Sequence, residues 1–149
     1  MSCEDCRGQQ KVVKELHRGI IEKSENVDEL LWQAVIAFQD YPFYTASGLP
    51  FSYIVKQRRD GNYSGELVVS RKEGSKTVTR SSIQLAFHRV LEKMSIEQGA
   101  SCVLLKPAEY KGPKAIGQIF GISYIYSLFW KLGLIRVPLK IQEKWAKGV

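Results

Sequence analysis

The sequence predicts an α+β domain in which helices flank a small antiparallel three-stranded meander and a helical hairpin completes the C-terminal end. Three observations carry this expectation. Apolar residues recur at helical spacing in residues 9–24, 26–40, 81–94 and 113–132, as amphipathic helices require. Residues 51–80 instead alternate apolar and polar side chains between glycine-bearing turns, the pattern of half-buried strands. The composition, 44% hydrophobic and 25% charged without low-complexity segments, is that of an ordinary globular protein. A chain of 149 residues is long enough to bury one substantial core, and no linker or internal repeat divides it, so residues 1–149 are read as one domain.

The polar opening, residues 1–8, is expected to be a flexible terminus. Val12, Val13, Leu16, Ile20 and Ile21 then form an apolar stripe, with Gly19 a weak point inside the helix. Asn26 suits an N-cap with Glu29 at the capping-box position, and Leu31, Ala34, Val35 and Phe38 follow. Pro42 restricts the residue before it, which stops this helix near Asp40. The aromatic segment YPFYTASGLP reads as a loop.

The basic β-meander occupies residues 51–80. Phe51, Tyr53 and Val55 alternate with polar neighbours, RRDGNYSG supplies a hairpin loop, Leu67 to Val69 form the middle strand, and KEGSK turns into a short third strand. Ser81, with Gln84 at the box position, is expected to cap a helix whose face is Ile83, Phe87, Val90, Leu91 and Met94. These residues are expected to share one core with Leu31, Val35 and Phe38. Residues 101–105 read as a short buried strand, residues 111–133 as the helical hairpin, Leu134 to Val137 as an edge strand, and residues 140–149 as a polar, basic tail.

Charge is unevenly distributed. The net +7 divides into −3 over residues 1–50, +4 over 51–80, zero over 81–105 and +6 over 106–149. An acidic N-terminal third and a basic remainder create a field able to steer a polyanion onto one side of the molecule. Surplus lysines also serve solubility alone. The opening residues have no apolar run of the signal-peptide type, and the longest apolar stretch, Ile116 to Ile135, is interrupted by Gln118, Ser123, Ser127 and Lys131, so no membrane association is expected. Three cysteines without an export signal favour a reducing compartment and a cytoplasmic location.

The most specific local pattern is PKAIGQIFGISYIYSLFWKLG, in which Gly117, Gly121, Ile122 and Ser123 occupy the small, turn, apolar and capping positions. It resembles the helix-turn-helix unit of DNA-binding proteins. That resemblance implies a recognition helix offering Tyr124, Ser127 and Lys131, although arginine or asparagine more often reads base edges. A basic hairpin with Arg58, Arg59, Arg71, Lys72 and Lys76 would serve as a wing on phosphates, with Lys111 and Lys114 beside it, an arrangement that is winged-helix-like. In that motif, however, wings usually follow the recognition helix, and here the hairpin precedes it. The expected function is therefore nucleic-acid, in the first place DNA, binding or regulation. The alternative is a protein-interaction or inhibitor-type accessory protein using the aromatic residues Tyr41, Phe43, Tyr44, Tyr124 and Tyr126.

Catalytic chemistry has little to rest on. No GxSxG elbow, phosphate-binding glycine loop or HExxH pair occurs. Asp60 and Glu66 faintly resemble metal-dependent nucleases, but Val68 stands where the lysine is needed. Cys3 and Cys6 form half of a zinc site whose other half is missing. No catalytic residue, metal ligand or cofactor is assigned, and the oligomeric state is left open.

Overall fold

The computed structural model describes residues 3–147, and the side chains from Arg7 to Ala146. In chain order the elements are α1 (Cys3–Ile21), α2 (Val27–Ala37), β1 (Phe43–Tyr44), β2 (Pro50–Gln57), β3 (Tyr63–Arg71), β4 (Gly74–Thr79), α3 (Arg80–Lys93), β5 (Ser95–Gln98), β6 (Val103–Lys106), α4 (Ile122–Lys131) and α5 (Leu139–Lys147). The first four strands form an antiparallel sheet of order β1-β2-β3-β4, with β5 and β6 forming a separate hairpin. Among the described residues no helix is long and apolar enough to cross a membrane.

The alternating pattern of residues 51–80 produces the sheet as expected. Phe51, Tyr53 and Val55 of β2, Leu67 and Val69 of β3 and Val78 of β4 are all buried on one face. The register Tyr53 to Val69 to Lys76 and Val55 to Leu67 to Val78 aligns them across the strands. A fourth strand joins the expected three. Phe43 and Tyr44, in the segment read as a loop, pair with Phe51 and Pro50, because the aromatic side chains give two otherwise loop-bound residues a buried place beside β2.

The two well-marked helices meet in the core. Leu31, Val35, Phe38, Ile83, Phe87 and Val90 are buried together, with Leu91 and Met94 partly so. Their caps differ from expectation. Thr79, one residue before α3, caps it by accepting a bond from the Ser82 amide at 3.3 Å, whereas Ser81 lies inside the helix. Asn26 makes no side-chain cap, since Ser24 engages its carbonyl oxygen. Glu29 binds Gln33 and Arg80 instead of closing a box. Those two partners, Gln33 first, hold the Glu29 carboxyl below its usual range.

The C-terminal third departs most from the sequence reading. Residues 113–121 form no helix beyond one 3-10 turn, Pro113–Ala115. Ile116 and Ile119 are buried from an irregular loop, and the chain enters α4 through Gly121 in a left-handed conformation at φ 78°. The expected buried strand at 101–105 is Val103–Lys106 in a hairpin whose residues are largely exposed. Leu134 to Val137 make only an isolated parallel bridge, Arg136 with Glu109. Where a polar tail was expected, α5 forms and buries Trp145, whose Nε1 donates to the Thr45 carbonyl at 2.8 Å. The signal for α5 is the pair Ile141 and Trp145, four residues apart and so on one helix face.

Candidate nucleic-acid interface

Helix α4 crosses the core-side face of the sheet from β4 to β1. Gly121 lies against Val78 of β4. The Tyr124 hydroxyl accepts from the Arg71 guanidinium of β3 at 3.1 Å, and its ring packs edge-on against Phe51 of β2, centroids 5.0 Å apart. Ser127 Oγ donates to the Tyr44 carbonyl of β1 at 2.6 Å. Ile122, Ile125, Tyr126, Ser127, Leu128 and Phe129 are buried.

That placement corrects the reading of α4 as an open recognition helix. Ser127 is buried and already bonded. Tyr124 is half-buried beneath Arg71. Lys131 sits at the far end with Nζ 4.8 Å from the Tyr41 ring centroid. Most of the helix is covered, with Ser123 exposed and Tyr124, Trp130 and Lys131 half-buried, so the residues expected to read bases are not presented together on an open face. The expected aromatic surface divides in the same way. Tyr126 is fully buried, its hydroxyl pushed up to about 12 by burial and by the negative charge of Glu109; Phe43 is buried as well, and Tyr41 and Tyr44 stay half-buried beside it.

The basic hairpin residues also separate. In an antiparallel meander successive turns lie at opposite ends, so Arg58 and Arg59 in the β2–β3 loop are a full strand away from Lys72 in the β3–β4 turn. Over Tyr63–Arg71 that separation is roughly 27 Å at about 3.4 Å per residue. Arg58 and Arg59 are exposed beside Asp60, whose carboxylate accepts the Asn62 amide. Arg71 and Lys76 share the parity of Val69 and emerge on the helix side of the sheet. Arg71 is held by Tyr124, with Nε buried and unbonded.

What the fold does bring together is a set of cations around the loop that precedes α4. Lys76 lies over Phe120 at 5.6 Å, an aromatic side chain left 60% exposed. Arg89 of α3 rests directly on the chain at Gly117, where a Cβ would fall 2.0 Å from its guanidinium nitrogen. Lys93, one turn further along α3, lies 5.8 Å from the Tyr110 ring. Lys111 and Lys114 are exposed within that same loop. Glu92 borders the patch, adding to the burial that raises the Tyr110 hydroxyl. Arg89 and Lys93 were missed because residues 81–105 balance to zero. Their spacing of four on a helix whose opposite face is Ile83, Phe87 and Val90 is the signal that marks them as a surface pair.

Other candidates yield little. His17 Nε2 is 2.7 Å from the Leu132 carbonyl and His88 Nε2 is 2.9 Å from Asp28; each imidazole has a structural partner. Among the described residues no group of three His, Cys, Asp or Glu side chains could hold a metal, and the Cys3 and Cys6 side chains lie outside the described residues. The fold and this patch define an α+β protein with a basic loop-and-helix surface. Compared with models of protein families, with curated proteins and with solved structures, the chain matches none.

Proposed function

We propose that the chain binds nucleic acid through phosphate contacts on the surface formed by Lys76, Arg89, Lys93, Lys111 and Lys114, with DNA the first candidate. The carrying observation is the convergence of Lys76 from the sheet and Arg89 and Lys93 from α3 on one loop that contributes two more exposed lysines. Cations carried on a strand, a helix and a packed loop can contact successive phosphates together, and such contacts position a polyanion without reading its sequence. The β3–β4 hairpin keeps the role of a wing in this reading. The buried α4 has none, which makes the binding independent of base sequence.

If each of the five cations neutralises one phosphate, the log–log salt slope is about −4.5 on duplex DNA, and affinity falls about 500-fold between 50 and 200 mM salt. The test is fluorescence anisotropy with labelled random duplex across that range. Lys76→Glu with Lys114→Glu should reduce the slope by about 2. Arg89→Glu repeats the test from α3, with circular dichroism confirming the fold. No association of the unaltered protein at micromolar concentration in low salt refutes the proposal.

A further inference from the structure

Beyond the C-terminal end of α4, a cleft of about 290 Å³ is lined by Tyr41, Phe43, Tyr44, Trp130, Lys131 and Trp145 among others. A neighbouring cleft of about 350 Å³ reaches Val13 and Lys14 of α1 and Phe38 of the core. Both share Tyr41 and Lys131, so the two clefts lie side by side as a grooved surface, with the Lys131–Tyr41 pair between them. The rings are fixed in place. Trp130 and Trp145 have centroids 4.8 Å apart, Tyr41 and Phe43 likewise 4.8 Å, and the Trp145 indole is tethered to the Thr45 carbonyl.

The charge of the groove is one-sided. Among the described residues Lys14 and Lys131 are the only charged ones lining it, and no carboxylate does. Fixed aromatic faces with cations and no anion suit a ligand that carries both planar rings and negative charge. The two lysines repel a cationic ligand of the kind that other aromatic cages hold.

We propose that this groove holds unpaired bases of single-stranded nucleic acid, stacked on its aromatic rings with the phosphates toward Lys131 and Lys14. The inference rests on the nucleic-acid reading above and names the form of nucleic acid. In a duplex the base faces are covered by their neighbours, so rings set inside a groove can be met only by a strand that is free to unstack. Stacking tolerates any base, because every base presents a π face, which agrees with a phosphate-binding surface that lacks base readout.

The experiment compares a labelled oligo(dT) with a random duplex of the same length, at one low salt concentration, reading anisotropy for binding and tryptophan emission for stacking. Trp32 and Trp145 are buried and Trp130 is half-buried, so quenching reports chiefly Trp130. The single strand should bind at least tenfold more tightly than the duplex and quench the emission. Tyr41→Leu should weaken the single strand by about 5- to 100-fold while leaving duplex affinity within twofold. Lys131→Gln should weaken the single strand and retain part of the quenching. Equal affinities, binding without quenching, or an unaltered Tyr41→Leu variant would overturn the groove assignment and leave the basic-surface reading standing. Absence of any binding would overturn both. Quenching by an acidic, aromatic-containing peptide but not by oligo(dT) would hand the groove to a protein partner and also overturn the inference.

Discussion

Gly121→Ala tests the turn that carries the basic loop over the sheet and into α4. Two costs arise at this position. Gly121 has φ 78°, a left-handed conformation that costs an L-residue about 1–2 kcal/mol. Its added Cβ would also fall 2.7 and 3.0 Å from the two Val78 methyls. Val78 is 1% exposed and pinned in β4 opposite Leu67, so it cannot swing away, and overpacking of this kind costs about 1–3 kcal/mol. The total of about 2–5 kcal/mol lowers Tm by about 4–20 °C for a chain of this size. Urea titration of the two single variants and the double variant with Val78→Ala separates the terms. The double variant should be about 1–3 kcal/mol more stable than additivity predicts, while the backbone cost remains. Gly121→Asn, whose residue type tolerates the left-handed region, should show the steric cost alone. A Gly121→Ala variant within about 0.5 kcal/mol of the parent, or a strictly additive cycle, would refute the argument.

Further outcomes follow from the core. Phe87 is fully buried and meets Phe129 edge-on at 6.4 Å; Phe87→Ala should cost about 3–5 kcal/mol by cavity formation, and a loss under about 1 kcal/mol in urea titration would refute the packing. Trp145→Phe keeps most of the ring but removes the bond to the Thr45 carbonyl, costing about 1–3 kcal/mol; an unchanged urea midpoint would mean that α5 is not anchored there. Burial raises Tyr53 well above 10, and burial with Glu109 raises Tyr126 to about 12. The folded chain therefore keeps protons that the unfolded chain gives up near pH 10, and stability present below pH 10 is lost as the pH rises toward 12. Phenolate absorbance should rise with unfolding, and all seven tyrosines titrating together near pH 10 with the fold intact would contradict this.

The fold was legible wherever a single face of an element is buried. The period of two in Phe51, Tyr53 and Val55 and the period of 3.6 in Ile83, Phe87 and Val90 each have a wet side that makes the pattern visible. Helix α4 has only a narrow wet side, with Ser123 exposed and Tyr124, Trp130 and Lys131 half-buried, and a residue pattern does not say which neighbours cover the rest. Its helical signal was therefore right for residues 122–131 and wrong for 113–121, where Ile116 and Ile119 reach the core from a loop. Gly117 and Gly121 were read as parts of a helix-turn-helix. One makes room for Arg89 and the other for Val78, and close approaches between distant parts of the chain leave no local trace. The basic surface was half legible for a related reason. Lys111, Lys114 and Lys76 stand out as charges, but their grouping with Arg89 and Lys93 depends on α3 packing beside the loop.

The distance between the two hairpin turns gives the last prediction, which separates the basic surface from Arg58 and Arg59. The β2–β3 loop lies at the opposite end of β3 from Lys72 and Arg71, and roughly 27 Å of strand corresponds to about 8 base pairs at 3.4 Å each. Lys76, opposite Val69, is two residues nearer that loop, so a DNA hairpin of about 4 base pairs held at Lys76 and Lys114 is too short to reach Arg58, whereas a duplex of about 20 base pairs spans both. Reversing Arg58 and Arg59 to glutamate should then leave the short hairpin's affinity and salt slope unchanged. On the long duplex the same variant should reduce the slope by up to about 2, if the loop lies along the path of the bound strand. Reversal of Lys76 and Lys114 should weaken both ligands alike. Affinity for the short hairpin that falls when Arg58 and Arg59 are reversed, but not when Lys76 and Lys114 are, would place the binding surface at the other end of the sheet and refute the grouping around α3.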